Sequence, residues 1–343
     1  MRAVYIESFG EAEALRYGER PTPLPGPGEV RVRLLAAAVN HLDLWVRKGV
    51  ANPKLGFPHI LGADGAGVVD AVGPGVPEDL LGREVVLNPG ISCGHCPACL
   101  SGADPLCPSY GILGEHTDGT YAEYVTVPRA NLVEKPASLS FEEAASFPLT
   151  FLTAWQMVVD KLGVRPGETV LVMAAGSGVG VAALQIAKLH GARVIAAAGS
   201  DEKLALAREL GADEGVNYRQ EGWHKAVRRL TGGVGVDAVA DSTGKDYWEG
   251  VIKATRNGGR IALVGATSGY QATTPLGHVF YRQLTIYGST MASKSRLFTL
   301  ARFFAEGRLR PIVGEVLPLR EAARAHRLLE LRKVFGKVVL RVS

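Results

Sequence analysis

Cysteine is scarce: four residues in 343, all between Cys93 and Cys107. A secreted, disulfide-stapled chain spreads its cysteines, so this clustering points to a reducing compartment and a bound metal. Asparagine and glutamine together number 11, a shortage of thermolabile amides of the kind found in heat-adapted proteins. Charge of either sign is in small excess only. Lys plus Arg is 38 against 34 Asp plus Glu, a net +4 scattered along the chain, which excludes a nucleic-acid-binding face. The opening MRAVYIESFG has no cationic start followed by an apolar run, so no secretory leader is expected. The longest uncharged apolar stretch, Val170 to Ala187, reaches 18 residues. Glycines and Ser177 interrupt it, and it reads as strand, turn and helix rather than a membrane span. A cytoplasmic globular chain of about two domains remains.

Two styles of sequence divide the chain. Up to about residue 140, short β-branched runs alternate with Gly and Pro turns. In PTPLPGPGEV prolines recur at every second position from Pro21 to Pro27, which precludes a helix. Val30, Val32 and Leu34 then alternate with Arg31 and Arg33 as in a half-buried strand. This pattern predicts a small barrel or sandwich. Ser140, followed by Glu142 and Glu143, predicts a capped helix start. From Glu168 onward strand-like and helix-like segments alternate (ETVLVMAA, GVGVAALQIAKLHG, ARVIAAAG, DEKLALARELG), the signature of a parallel sheet covered by helices.

AAGSGVG, from Ala174 to Gly180, lies between a predicted strand and a predicted helix, the setting of a dinucleotide-binding turn. There the backbone approaches a pyrophosphate at a helix N-terminus, and Ser177, Gly178, Val179 and Gly180 are the candidate contacts. Aligned on Gly180, the usual three-glycine fingerprint reads Ala175, Ser177, Gly180, so only the last glycine is kept. An NAD site commonly ends its second strand on a carboxylate for the ribose 2′-hydroxyl. Here the strand ends Ala198-Gly199-Ser200, and Asp201 begins the next helix, where it complements the helix dipole. Ser200, Lys203 and Tyr218 are candidate holders of a 2′-phosphate, so NADP(H) is favoured over NAD(H). The cysteines, Cys93, Cys96, Cys99 and Cys107, suit tetrahedral Zn²⁺. Four thiolates close the shell, so the zinc is expected to be structural.

In this order and spacing, PGPGEVRVRLLAAAVNHLDLWVRKG, ILGADGAGVV, the cysteine lobe, DGTYAEYV, AAGSGVG and GGRIALVG resemble the medium-chain dehydrogenase/reductase superfamily, which includes zinc alcohol dehydrogenases and quinone oxidoreductases. The resemblance spans essentially the whole chain. It implies an α/β protein: a GroES-like β-rich catalytic domain over 1–148 and 287–343, with the zinc lobe at about 90–110, and a Rossmann doubly wound parallel-sheet domain over 149–286. It further implies substrate in the cleft and a homodimer or homotetramer.

The departures from the family pattern bear on mechanism. Zinc alcohol dehydrogenases place a catalytic cysteine where this chain has Asn40, and a Gly-His-Glu triplet where it has Gly62-Ala63-Asp64. Their remaining ligand falls near Leu149, and their proton-relay hydroxyl falls at Leu42. The catalytic zinc set therefore reads as erased, and the Asn-x-x-Asp motif of Asn40 and Asp43 resembles the quinone oxidoreductase branch. The expectation is hydride transfer to or from a carbonyl, enone or quinone without catalytic zinc. Asn40 is expected to stabilise charge on the substrate, Asp43 to pair with a nearby basic residue, and Lys337 to reach the cofactor pyrophosphate. Two other readings stand beside this one. An alcohol dehydrogenase would use a metal site rebuilt from His41, His59 or Asp64; a cofactor-binding protein would have no turnover.

Overall fold

The computed structural model describes residues 1–342. They form two compact units, 1–149 with 292–342, and Thr150–Met291. The sequence reading placed the second boundary at 286/287, but strand Thr285–Gly288 is whole and pairs inside the parallel sheet, so the second unit extends past it.

The first unit is β-rich. Its large sheet is built around Glu29–Val39, whose 11 residues are alternately buried and half-buried at the start and fully buried at the end. Antiparallel partners flank this strand: Asp64–Val72 on one side and the C-terminal strand Lys337–Arg341 on the other. Tyr124–Pro128 also pairs with its first half. Val30, Val32, Leu34, Val69, Val85, Leu87 and Val125 make one core of this unit. Ser140 starts the helix Phe141–Ala145 with a reciprocal cap, its hydroxyl accepting from the Glu143 N–H while the Glu143 carboxylate accepts from its own N–H. Each such exchange satisfies two helix-end donors that would otherwise be unpaired.

The second unit is a six-stranded parallel sheet of strands β1 (Thr169–Val172), β2 (Arg193–Ala198), β3 (Glu214–Asn217), β4 (Val236–Asp241), β5 (Thr255–Leu263) and β6 (Thr285–Gly288). Their order is β3-β2-β1-β4-β5-β6, so the winding reverses between β1 and β4. Helices α1 (Gly178–Leu189), α2 (Asp201–Glu209), α3 (Trp223–Leu230) and α4 (Trp248–Ala254) provide the crossovers. The central strands read as continuous apolar runs because both faces are covered, as in RVIAAA. Ligands of such sheets bind at the carboxyl ends of the strands, at the reversal. No helix among the described residues is long and apolar enough to cross a membrane.

The turn from β1 into α1 is tight. A Cβ on Gly180 would stand 2.1 Å from the carbonyl oxygen of Ala174, a backbone atom that cannot swing aside. Gly180→Ala is expected to destabilise this unit by about 1–3 kcal/mol through overpacking. Urea unfolding followed by tryptophan fluorescence checks this; an unshifted midpoint would contradict it.

Candidate functional site

Three strand ends meet in the first unit. In the sheet register Ala38 lies opposite Asp64 on one side, and Val39 lies opposite Val338 on the other. Asn40, the residue after the central strand, therefore emerges between the start of one neighbour, Asp64, and the start of the other, Lys337. Asn40 Nδ2 donates to Asp64 Oδ2 at 2.9 Å and to the Ala38 carbonyl at 3.4 Å. Lys337 Nζ donates to Asn40 Oδ1 and, at 3.2 Å, to Asp64 Oδ2. The other carboxylate oxygen of Asp64 accepts from the Leu149 backbone N–H at 2.8 Å. Asp64 is fully buried, and Asn40 and Lys337 are each 5% exposed.

This arrangement ties two of the candidate residues into one cluster. The side-chain donors of Asn40 are both taken, so Asn40 does not offer a free N–H to a substrate. Lys337 points its ammonium at Asn40 and Asp64 rather than standing free for a pyrophosphate, because a carboxylate as buried as Asp64 needs a compensating cation. The positions at which zinc dehydrogenases hold their catalytic metal are thus filled by an amide, an ion pair, a backbone N–H and the side chain of Ala63. These residues do not fit a zinc ion: Ala63 has no donor atom, and the one carboxylate is already shared by three hydrogen-bond donors. The rebuilt alternative does not assemble either. His59 Nε2 lies 3.0 Å from the Gly114 carbonyl, and the only described cluster of three or more His, Cys, Asp or Glu ligand atoms is the cysteine set. Burial and the charges of Arg332 and Lys337 push the His41 imidazole down to about 4, so it is neutral at pH 7.

Behind Asn40 runs a buried hydrogen-bond chain that sequence reasoning missed. Arg47 Nη1 lies 3.1 Å from His326 Nδ1, His326 Nε2 lies 3.2 Å from the Tyr121 hydroxyl, and that hydroxyl donates to Asp43 Oδ2 at 3.0 Å. A guanidinium only donates, so Nδ1 of His326 accepts and its proton sits on Nε2. Burial and the Arg47 charge hold this histidine well below its ordinary pKa, in keeping with that neutral tautomer. Arg47 does not release a proton, so the chain orients groups rather than conducting protons. It ends on Asp43, whose Oδ2 also accepts the Asn40 backbone N–H at 2.7 Å and so fixes the turn that carries Asn40. Asp43 was expected to pair with a base; its hydrogen-bond partners are a phenol and a backbone amide. The four residues are scattered over 283 positions of sequence up to His326, which is why no local pattern announced them.

The zinc lobe is assembled as its spacing implied. The four Sγ atoms of Cys93, Cys96, Cys99 and Cys107 lie within 4.8 Å of one another. Cys107–Cys93 and Cys96–Cys99 are 3.6 Å apart and Cys93–Cys99 3.9 Å. Zn–S bonds of about 2.3 Å give a tetrahedral edge of about 3.8 Å, so the thiol set fits Zn²⁺. Asp104 ties this lobe to the same unit by accepting from the Ser293 hydroxyl and the Lys294 N–H. His95 is exposed, with Nδ1 on the Cys93 carbonyl, and takes no part in the cluster.

In the second unit the glycine-rich turn carries Ala174 in a left-handed conformation (φ 50°), and Ser177 caps α1 by accepting from the Gly180 N–H at 3.0 Å. Gly178 and Val179 form the first turn of α1. At the end of β2, Ser200 caps α2, its hydroxyl accepting from the Lys203 N–H at 3.4 Å. A Cβ on Gly199 would stand 3.2 Å from both the Tyr218 hydroxyl and Arg219 Nε, so these two side chains close around the end of β2. Tyr218 packs there against Tyr247 with the rings tilted, centroids 4.4 Å apart. Arg219 was missed by sequence reasoning; its signal is being next to Tyr218 after β3. Asp201 is turned to Asn217, whose Nδ2 donates to it at 3.1 Å. Asp241, buried at the end of β4, accepts from the Thr243 N–H at 2.7 Å and its hydroxyl at 2.5 Å, closing the turn at the reversal. Ser200, Tyr218 and Arg219 lie together at the carboxyl end of β2, and the α1 N-terminus follows the turn after β1.

Known proteins share this design. Residues 26–137 match the alcohol dehydrogenase GroES-like domain and residues 178–306 the zinc-binding dehydrogenase family. An alcohol dehydrogenase of Geobacillus stearothermophilus is 35% identical over the full length of both chains. A quinone oxidoreductase of Pseudomonas aeruginosa is 33% identical over 99% of each. A crystal structure described as an NAD-dependent alcohol dehydrogenase superposes with a TM-score of 0.98 at 69% identity, over 100% of both chains.

Burial raises the Asp43 carboxyl from its ordinary 3.8 to about 7. The folded state therefore holds this proton more tightly than the unfolded chain. The group's contribution is complete below pH ~4 and is lost as pH rises to ~7. The stability of the native sequence relative to Asp43→Asn should fall across that window, measured by urea unfolding at a series of pH values. Parallel profiles would contradict it.

Proposed function

The chain belongs to the medium-chain dehydrogenase/reductase superfamily, and from that premise we propose an NADP(H)-linked oxidoreductase that transfers hydride to or from a carbonyl, enone or quinone without a catalytic zinc. The chain is an enzyme of this family, with alcohol dehydrogenase-like and quinone oxidoreductase-like relatives. The observation that carries the finer reading is the Asn40–Asp64–Lys337 cluster at the metal-ligand positions. A carbonyl there meets fixed charge and hydrogen bonds instead of a Lewis acid. Readily reduced acceptors such as enones and quinones need the least polarisation, which supports the reductase direction.

The bound nicotinamide dinucleotide supplies or accepts the hydride. The residues of this chain do the rest. Ser177, Gly178, Val179 and Gly180 hold the pyrophosphate at the α1 N-terminus. Ser200, Lys203, Tyr218 and Arg219 hold the 2′-phosphate. Asp43 fixes the Asn40 turn, and Asn40 orients Asp64 and Lys337. Cys93, Cys96, Cys99 and Cys107 hold one structural zinc. The reading includes a cytoplasmic homodimer or homotetramer.

A second reading, NAD(H) dependence, is favoured by the description of the solved relative at 69% identity. Steady-state kinetics with both coenzymes separates the two. In this proposal NADPH has the higher kcat/KM with quinones and enones. Arg219→Ala and Lys203→Ala each lower that value for NADPH about tenfold, the loss of one charge-assisted hydrogen bond, and leave NADH nearly unaffected. Equal losses with both coenzymes, or a preference for NADH in the native sequence, would assign the site to NAD(H). Absence of turnover across quinones, enones, aldehydes and alcohols would overturn the enzymatic reading.

A further inference from the structure

We propose that the open edge of β3 is a docking groove for an extended peptide that ends in a free carboxylate. The peptide adds to β3 as an antiparallel strand, and its carboxylate lies between Arg208 and Arg229.

The observations all lie within the second unit. In the sheet order β3 is an edge strand, and among the described residues no strand pairs with its outer side. Such an edge presents unpaired backbone N–H and C=O groups. The Tyr218 N–H donates to the Ala198 carbonyl at 3.1 Å, so by the alternation of a strand Val216 also faces β2. Gly215 then turns its own N–H and C=O to the open side. A glycine inside a strand often marks the close approach of another backbone. Along this edge runs a cavity of about 320 Å³, lined by Gly215 and walled by Leu204 of α2 and by Ala226 and Leu230 of α3.

Charge gives the groove a direction. Both helices run back along β3. At the start of α2, Asp201 accepts from Nδ2 of Asn217, the last residue of the strand. At its end, Arg208 Nη2 would stand 3.2 Å from a Cβ on Gly215. At the end of α3, the Leu230 carbonyl accepts from Arg193, whose guanidinium also reaches Glu214 at the start of the strand. Arg208 and Arg229 therefore mark the end of the groove where β3 begins, and Asp201 and Gln220 the end where it stops. The neighbouring cations are taken: Lys188 by Asp213, Arg193 by Glu214, and Arg228 by the Gly233 and Lys253 carbonyls. Among the described residues the Arg208 and Arg229 guanidinia have no such partner, and both residues are exposed.

A guanidinium fork matches a carboxylate through two parallel hydrogen bonds. A peptide whose C-terminus sits at that end runs against β3, in the antiparallel sense, and brings its amino side toward Asp201. Main-chain bonds to a strand edge are a recurrent mode of peptide recognition, and so is capture of a terminal carboxylate. Ser200, Lys203, Tyr218 and Arg219 do not line the groove, so the proposal does not rest on the coenzyme reading.

Isothermal titration calorimetry of the full-length protein with the tripeptide Ala-Val-Ala tests this, at low salt where exposed charges are least screened. Binding is expected. The C-terminal amide of the same peptide should bind about tenfold more weakly, the loss of a charge-assisted pair. The peptide methylated on both amide nitrogens should bind about fivefold more weakly, because it cannot donate to the Gly215 carbonyl. Arg208→Gln combined with Arg229→Gln should lower affinity about tenfold or more at an unchanged melting temperature, since both side chains are exposed and unpaired. The two modified peptides keep the test decisive even if that variant folds poorly. Absence of tripeptide binding at millimolar concentration would overturn the proposal, as would equal affinity for the carboxylate and amide forms or for the plain and methylated forms. Succinate binding as tightly as the tripeptide would reduce the groove to a simple anion site and also overturn it. So would displacement of the tripeptide by NADPH, which would place the peptide in the coenzyme turn.

Discussion

A carboxylate with no exposed surface cannot stand alone in a protein interior, and the first unit is organised around answering that requirement at Asp64. The answer comes from both ends of the chain. The central strand brings Asn40, the C-terminal strand brings Lys337, and the register of the sheet places both beside Asp64. Returning the last residues of the chain to the first unit is therefore more than closure of a sheet. It delivers the positive charge that lets Asp64 be buried. Removing one member of such a pair commonly costs about 3–5 kcal/mol, so the cluster is also a structural tie between distant parts of the sequence.

The same unit separates two tasks that a metal performs in many dehydrogenases. The cysteine lobe retains four sulfurs at tetrahedral spacing, tied down through Asp104 to Ser293 and Lys294. At the other end of the unit, Asp64 is held by the Leu149 N–H and the Asn40 side chain. Asp43, Tyr121, His326 and Arg47 form a polar column behind it, and the fixed direction of its hydrogen bonds holds the Asn40 turn rigid. In the second unit, the reversal of strand order and the tight passage at Gly180 place the helix N-terminus for an anionic ligand.

Local features were readable from the sequence. The zinc lobe spans 15 residues, and its spacing alone implied the geometry found. The Ser140 cap and the strand–helix alternation from Glu168 onward are equally local, and both formed. The Ala63 substitution showed at once that a ligand was gone. What stood in its place was not readable, because the Lys337–Asp64 pair spans 273 positions and no periodicity encodes it. Asn40 was read toward the substrate and Lys337 toward the cofactor, whereas the fold directs them at one another. Arg219 was overlooked for a related reason: its proximity to Gly199 exists only once β3 lies beside β2. The identity of the substrate is likewise a property of surfaces assembled from distant loops.

The central claim is that one metal position is kept and the other replaced by a lysine–aspartate pair. Elemental mass spectrometry of the purified protein, compared with the same measurement on Cys93→Ser, tests it directly. The account predicts one zinc per chain in the native sequence and close to none in the variant. Two metal ions per chain, with one surviving the cysteine substitution, would place a metal at the Asn40–Asp64 position and contradict it.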